Sequence, residues 1–230
     1  GFGVDPAQVI YLPNGPDPSL REVEVSDDQK SRLRADLGLG QAPFALYLGH
    51  IPHGTDLDLA LDALDRIGDQ LPGARLVIAG VGDGLPALQA RAQDIGVADR
   101  VLFPGWIDHD QAHVYLATAD VAVNPYRDTL INRSKCSGKV IAAMAMGKAM
   151  VTSRVGENLA YIHDGHSGLL CEPGDAADLA RALLAVLSDR DWAAELGRNA
   201  RRRIWQEFDW QARVEEVERA YEIAMAWEDG

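Results

Sequence analysis

Lys135 and Lys139 stand four residues apart in "RSKCSGKVIAAMAMGK", ahead of small and apolar residues that read as a helix packed tightly on its neighbours. Two ammonium groups one helical turn apart, with Ser134 or Ser137 to cap the helix start, suit a diphosphate. The first N–H groups of a helix lack intrahelical partners and carry partial positive charge, which an anion satisfies. The wider window from Arg127 to Arg154 holds six Lys or Arg residues and one acid, in a chain of formal net charge −13. Three of the four lysines in the chain, Lys135, Lys139 and Lys148, fall inside it. The competing reading needs no ligand: a basic face that forms ion pairs with an otherwise acidic protein.

Other stretches carry weaker chemistry. "GVGDG" (80–84) has glycines at first, third and fifth positions, whereas a dinucleotide fingerprint needs first, third and sixth. "SGK" (137–139) lacks both the preceding glycine of a phosphate loop and the Ser or Thr after its lysine, since Arg133 and Val140 occupy those places. His109 and His113 are spaced to share a helix face, but no third ligand is fixed by spacing, so a solvated face is expected and no metal is assigned. No Ser-His-Asp or Cys-His arrangement emerges, and the catalytic residue is left unassigned. The acidic runs "DLDLALDALD" and "EEVERAYE" read as solvated helix faces.

Composition narrows the class. At 230 residues with 47% hydrophobic content the chain can bury a sizeable core. A pI near 4.8 argues against nucleic acid as partner, because phosphate-backbone contacts call for a broad basic face. The two cysteines, Cys136 and Cys171, make no disulfide framework, which points to a reducing compartment and the cytoplasm. The longest apolar run is interrupted by Gly147 and Lys148, short of a membrane span.

The elements that would position these residues alternate as β-rich runs and helical patterns, the signature of a doubly wound, Rossmann-like parallel sheet of α/β class. Six strands are expected, at 8–12, 44–49, 74–80, 100–105, 120–125 and 149–153, with an extra edge strand at 168–172. Helices are expected at 55–71, capped by Thr55, and at 85–96. Three more, at 175–189, 190–208 and 209–227, follow without intervening strands. The chain then divides into a linker and leading strand (about 1–18), a sheet core (19–188) and C-terminal helices (189–230). In such sheets ligands sit beyond the carboxyl ends of the strands, and the loop after the fifth expected strand, "YRDTLINRSKCSGK", is the most basic of those loops.

In this order the motifs resemble the C-terminal, donor-binding half of a retaining glycosyltransferase of GT-B type, in the family called group 1 or family 4. The likeness runs through "VIYLPNGPD" (9–17), "YLGHIPHGTDLDLALDAL" (47–64), "LVIAGVGDGLPALQARAQDIGVADRVLFPGWID" (76–108), "KVIAAMAMGKAMVTSRVGENLAYIHDGHSGLLCEPGD" (139–175) and "FDWQARVEEVERAYEIA" (208–224). It implies a nucleotide-sugar donor of UDP or GDP type, bound without cofactor or metal. It implies a hexosyl transfer with retention, to an acceptor held by an N-terminal domain missing here, so that the isolated domain is inactive. The missing half leaves room for peripheral membrane association. By the same resemblance His50, His53, Arg133, Lys135, Ser137, Gly138 and Lys139 face the donor diphosphate. Gly105, Trp106, Ile107 and Ala142 border the nucleobase and ribose, and Asn132, Ser134 and Cys136 border the sugar. Three departures stand out: the family usually places carboxylates where this chain has Ala142 and Ser134, and a Glu is common at Ala160. They open an alternative, a degenerate homologue that serves as a binding or scaffold module. A dinucleotide oxidoreductase domain, which NAD binding at "GVGDG" would support, is the remote third.

Overall fold

A computed structural model describes residues 9–228. After a 3₁₀ turn at Pro18–Arg21 come α1 (Asp27–Asp36), β1 (Phe44–Leu48), α2 (Asp58–Arg66), β2 (Arg75–Ala79), α3 (Leu85–Asp94) and β3 (Val101–Gly105). Next are α4 (His109–Thr118), β4 (Val121–Asn124), α5 (Leu130–Arg133), α6 (Gly138–Ala145) and β5 (Met150–Ser153). α7 (Asn158–Tyr161), β6 (Leu169–Cys171), α8 (Ala176–Ser188), α9 (Arg190–Glu207) and α10 (Val214–Glu228) complete the series. The six strands form one sheet in the order β3-β2-β1-β4-β5-β6. Every pairing is parallel.

β1, β2, β4 and β5 are buried along nearly their whole length, as strands covered by helices on both faces must be. On one face Leu61 and Leu64 of α2 meet Leu183 and Val186 of α8 over Leu76 and Val121. On the other, Leu116 of α4, Val140 and Met144 of α6 and Ile204 of α9 cover Leu46, Val77 and Ala122. Each large aliphatic side chain so withdrawn from water contributes roughly 1.5–3 kcal/mol.

Two expectations need correction. Residues 9–12 form no strand, and Gln8 lies outside the described residues; the sixth strand is instead β6, inside the 168–172 segment. Val9 and Tyr11 remain exposed, so β propensity there finds no neighbouring strand to pair with. Thr55 does not cap α2, whose N-cap position is Leu57 with no side-chain hydrogen bond. No helix among the described residues is long and apolar enough to cross a membrane.

Lys148, one of the window's lysines, is half-buried just after α6, where its ammonium donates to the carbonyls of Ala117 and Ala119. Burial pulls its pKa down from 10.5 to about 8, with Asp120 opposing the shift and Lys30 and Arg34 adding to it. Below about pH 8 folded and unfolded chains both hold the proton. Between about pH 8 and 10.5 the unfolded chain keeps the proton that the folded one has released, so stability contributed here rises with pH, by about 1.4 kcal/mol per pH unit. Denaturant titrations of wild type and Lys148→Met should therefore show wild type gaining on the variant from pH 8 to 10. A pH-independent difference would contradict an ammonium that titrates low at this position.

Candidate functional site

The sheet order reverses between β1 and β4, and the crevice at such a switch point opens where their following loops part. A cleft of about 640 Å³ lies there. Tyr47, His50 and His53 line one wall, and Asn124, Tyr126, Asn132, Lys135, Cys136, Ser137, Gly138 and Lys139 the other.

The positive charge of the 127–154 window resolves into two groups. Arg127 forks onto Asp56 (2.9 Å) and Asp58 (2.6 Å), and Arg154 bonds Asp164 at 2.6 Å. Arg133 clasps Asp128 at 2.5 and 2.7 Å, which holds the Asp128 carboxyl below its ordinary pKa. With Lys148 bound to backbone carbonyls, four of the six cations are engaged in holding the fold. The remaining two, Lys135 and Lys139, make no ion pair among the described residues, and both line the cleft.

Their setting differs from a shared helix face. Lys135 sits in the loop before α6; it donates to Asn132 Oδ1 at 2.8 Å and stands 5.1 Å from the centre of the Tyr126 ring. Asn132, buried, in turn donates to Asp56 (2.8 Å) and to the Arg127 carbonyl (2.9 Å). Asp56 thus ties the basic loop to the turn after β1. Lys139, in the first turn of α6, passes Gly49 and ends 5.5 Å from the centre of the Tyr47 ring. A side chain at Gly49 would occupy the path of the Lys139 stem. Burial first, and the charge of Lys135 second, lower the Lys139 pKa, so the ammonium gains from any anion that enters.

Ser137 occupies the N-cap position of α6 but makes no capping bond. Its Oγ accepts instead from Asn124 Nδ2 (3.1 Å) and lies 3.4 Å from the Tyr126 hydroxyl, so the first-turn N–H groups at Gly138 and Lys139 open onto the cleft. Ser134 is no cap for this helix either; its hydroxyl donates back to Ile131 O at the end of α5.

A second hollow of about 530 Å³ adjoins the first through His50 and is walled by Trp106, Ile107, Val81 and His109. Trp106 is 71% exposed there, an open aromatic face, and Gly105 turns the chain out of β3 with φ +81°. Beneath lies an apolar cavity of about 310 Å³, lined by Leu48, Ala112, Ala142 and Met150, with Asp17, His109, His113 and Lys139 at its polar parts. His109 and His113 pack edge to face at 4.7 Å, and no group of three metal-ligating side chains occurs among the described residues.

Of the residues singled out from sequence, His50, His53, Asn132, Lys135, Cys136, Ser137, Gly138 and Lys139 share the main cleft. Trp106 and Ile107 line the adjoining hollow and Ala142 the apolar cavity. Arg133 and Ser134 line none of the three: Arg133 is drawn outward by Asp128, and Ser134 is turned onto α5. Sequence reasoning passed over Tyr47, Asn124, Tyr126 and Asp56. Asp56 and Asp58, read as a solvated face, are the partners of Arg127. The glycines of "GVGDG" serve packing between loops. Side chains at Gly80, Gly82 and Gly84 would collide with the carbonyl oxygens of Gly49, Ile51 and Pro52.

The sequence profile of the family "Glycosyl transferases group 1" matches residues 42–189. A glycogen synthase of Mycobacterium tuberculosis is 33% identical over 206 residues, covering 84% of this chain and 47% of that protein. A GDP-mannose-dependent alpha-(1-6)-phosphatidylinositol monomannoside mannosyltransferase of Mycolicibacterium smegmatis is 27% identical over 209 residues, covering 90% of this chain and 54% of its own length. Among solved structures, HepE of Anabaena in complex with UDP and glucose superposes with a TM-score of 0.74 at 22% identity, over 91% of this chain and 55% of that one. The chain spans about half the length of the proteins it matches.

Proposed function

The chain belongs to the glycosyl transferases group 1 family, and on that footing we propose that it is the donor-binding part of a retaining glycosyltransferase, taking a UDP- or GDP-sugar in the cleft between β1 and β4. The observation that carries this reading is the pair of cations that form no ion pair, Lys135 and Lys139, set at the open start of α6. Breaking a sugar–phosphate bond leaves negative charge on the diphosphate. Ammonium groups and helix N–H groups already aimed at that position stabilise it without a metal, each well-placed donor lowering the barrier by roughly 3–4 kcal/mol. His50, His53, Ser137 and Gly138 complete the diphosphate wall, with Asn132 and Cys136 nearer the sugar. Trp106 and Ile107 offer the nucleobase a stacking face, and the hollow they line adjoins the cleft through His50, which supports one groove for base and diphosphate. The acceptor, and the groups that act on it, belong to an N-terminal domain of the full protein. HepE holds UDP in its complex and the mycolicibacterial relative is named for GDP-mannose, so either base fits this proposal.

A calorimetric titration with UDP, GDP and their sugars tests the proposal. Saturable binding by one of them is expected, and no binding at millimolar nucleotide by any would overturn it.

The second reading, a homologue that keeps the fold but not the turnover, is favoured by one observation. Ala142 faces an apolar cavity where the family resemblance calls for a carboxylate on the ribose. The cavity has room for the longer side chain, and a carboxylate accepting ribose hydroxyls is worth roughly 1.5–3 kcal/mol. Ala142→Glu is therefore expected to tighten nucleoside diphosphate binding by about tenfold. The gain should disappear with the 2′,3′-dideoxy nucleotide. An equal gain for both nucleotides would mean that the ribose does not reach α6.

A further inference from the structure

A second concentration of positive charge lies away from the cleft, on the outer side of α9. Arg198, Arg201 and Arg202 project from successive turns beside Trp205 and Gln206, and with Arg21 of the 3₁₀ turn they line a hollow of about 430 Å³. The Arg21 guanidinium lies over the Trp205 ring, 4.3 Å from its centre, and is held by Asp209 at 2.5 Å. Trp205 is anchored from below, its Nε1 donating to Ala145 O at 3.3 Å. Arg201 donates one N–H to Arg21 O at 2.9 Å, which fixes the plane of its fork.

The carboxylates neutralise only one member of this group, Arg21. Glu207 is taken by Arg203, Asp209 by Arg21, and Glu195, one turn before Arg198, pairs with none of the four arginines among the described residues. Arg198 and Arg202 make no hydrogen bond or ion pair among the described residues, in a chain whose net charge is −13. Clustered like charges repel one another, so four arginines that share the single paired carboxylate of Asp209 are stabilised by a further anion. Guanidinium forks match phosphate oxygens bidentately, and a stacked arginine is already ordered for the purpose. α6 runs between the two places: its start faces the donor cleft and its end, at Ala145, carries Trp205, roughly 10 Å along the helix axis.

We propose that the hollow formed by Arg21, Arg198, Arg201, Arg202 and Trp205 is a second anion site, distinct from the donor cleft, that takes a phosphate-bearing ligand. The phosphate is either that of a lipid headgroup or that of a free phosphorylated solute. The site is independent of the donor reading, since it shares no residue with the cleft.

The test uses the full chain carrying Lys139→Met, which weakens the donor cleft, with and without Arg198→Ala/Arg202→Ala. Both arginines are exposed, so the double variant should melt at the same temperature as its parent. Inorganic pyrophosphate is titrated by calorimetry, and co-sedimentation is measured with phosphatidylglycerol vesicles against phosphatidylcholine vesicles. The proposal expects the arginine pair to account for at least a tenfold difference in one of the two arms. Loss with pyrophosphate identifies a free solute, and loss with anionic vesicles alone identifies a headgroup. Equal behaviour of the two proteins in both arms, or no binding by either, would overturn it.

Discussion

Replacing Lys139 with Met is expected to weaken UDP or GDP binding by about 10- to 100-fold, the loss of one charge-assisted contact to a diphosphate in a partly dry cleft. Met keeps the stem that passes Gly49 and lies against Tyr47, so the packing survives and only the charge goes. Because burial already lowers the Lys139 pKa, removing the ammonium should leave the melting temperature unchanged or higher. Affinity and stability therefore move independently, which a merely structural lysine would not allow. Arg133→Ala supplies the contrast. Its guanidinium is held by Asp128 and is absent from the cleft wall, so nucleotide affinity should change by less than about twofold, as expected for an exposed pair. Calorimetry on the two variants side by side checks both statements, and an Arg133 effect as large as that of Lys139 would return the whole basic window to the site.

The second large effect is on folding. Gly80→Ala should destabilise the protein by about 3–5 kcal/mol, combining the strain of its backbone with overpacking against a neighbour that cannot move aside. Gly80 has φ +150°, and an added Cβ would overlap the carbonyl of Gly49 at the adjacent strand end. That carbonyl belongs to the turn that lets Lys139 through, so the damage should reach the cleft as well. Chemical denaturation gives the first number and nucleotide titration of the folded fraction the second. Gly54→Ala is the control: its φ of +68° imposes strain, but open space surrounds the position and no carbonyl blocks the new methyl. Equal losses at the two positions would show that backbone strain alone, rather than the approach of the two loops, sets the cost.

Much of the fold was written locally. Runs such as "ARLVIAG" and "DVAVNP" are apolar without alternation because both faces of β2 and β4 are covered. The helix α1 also had a local signal that went unused: Ser26 and Gln29 form a reciprocal capping box at its start. "QVIYL" misled because its residue types favour a strand while pairing depends on a partner, and Tyr11 turns its hydroxyl to Glu157 instead. The site was legible to the extent that its chemistry is concentrated in one loop and one helix start. The assignment of its cations was not. Whether Arg127 belongs to a ligand or to Asp56 is decided by a contact between residues 71 apart in sequence, and local spacing carries no trace of it. The same holds for Ser137, whose placement at the start of α6 was expected but whose hydroxyl is claimed by Asn124 from β4.

The donor reading stands or falls on whether the diphosphate of a nucleotide sits at the open start of α6 between Lys135 and Lys139. A crystal structure of the protein soaked with the nucleoside diphosphate that binds it tests this most directly. The expected result is density for the phosphates within hydrogen-bond reach of the Gly138 and Lys139 N–H groups and of the Lys139 ammonium, with the base beside Trp106. Phosphates lodged elsewhere, with Lys139 still lying unengaged against Tyr47, would contradict it.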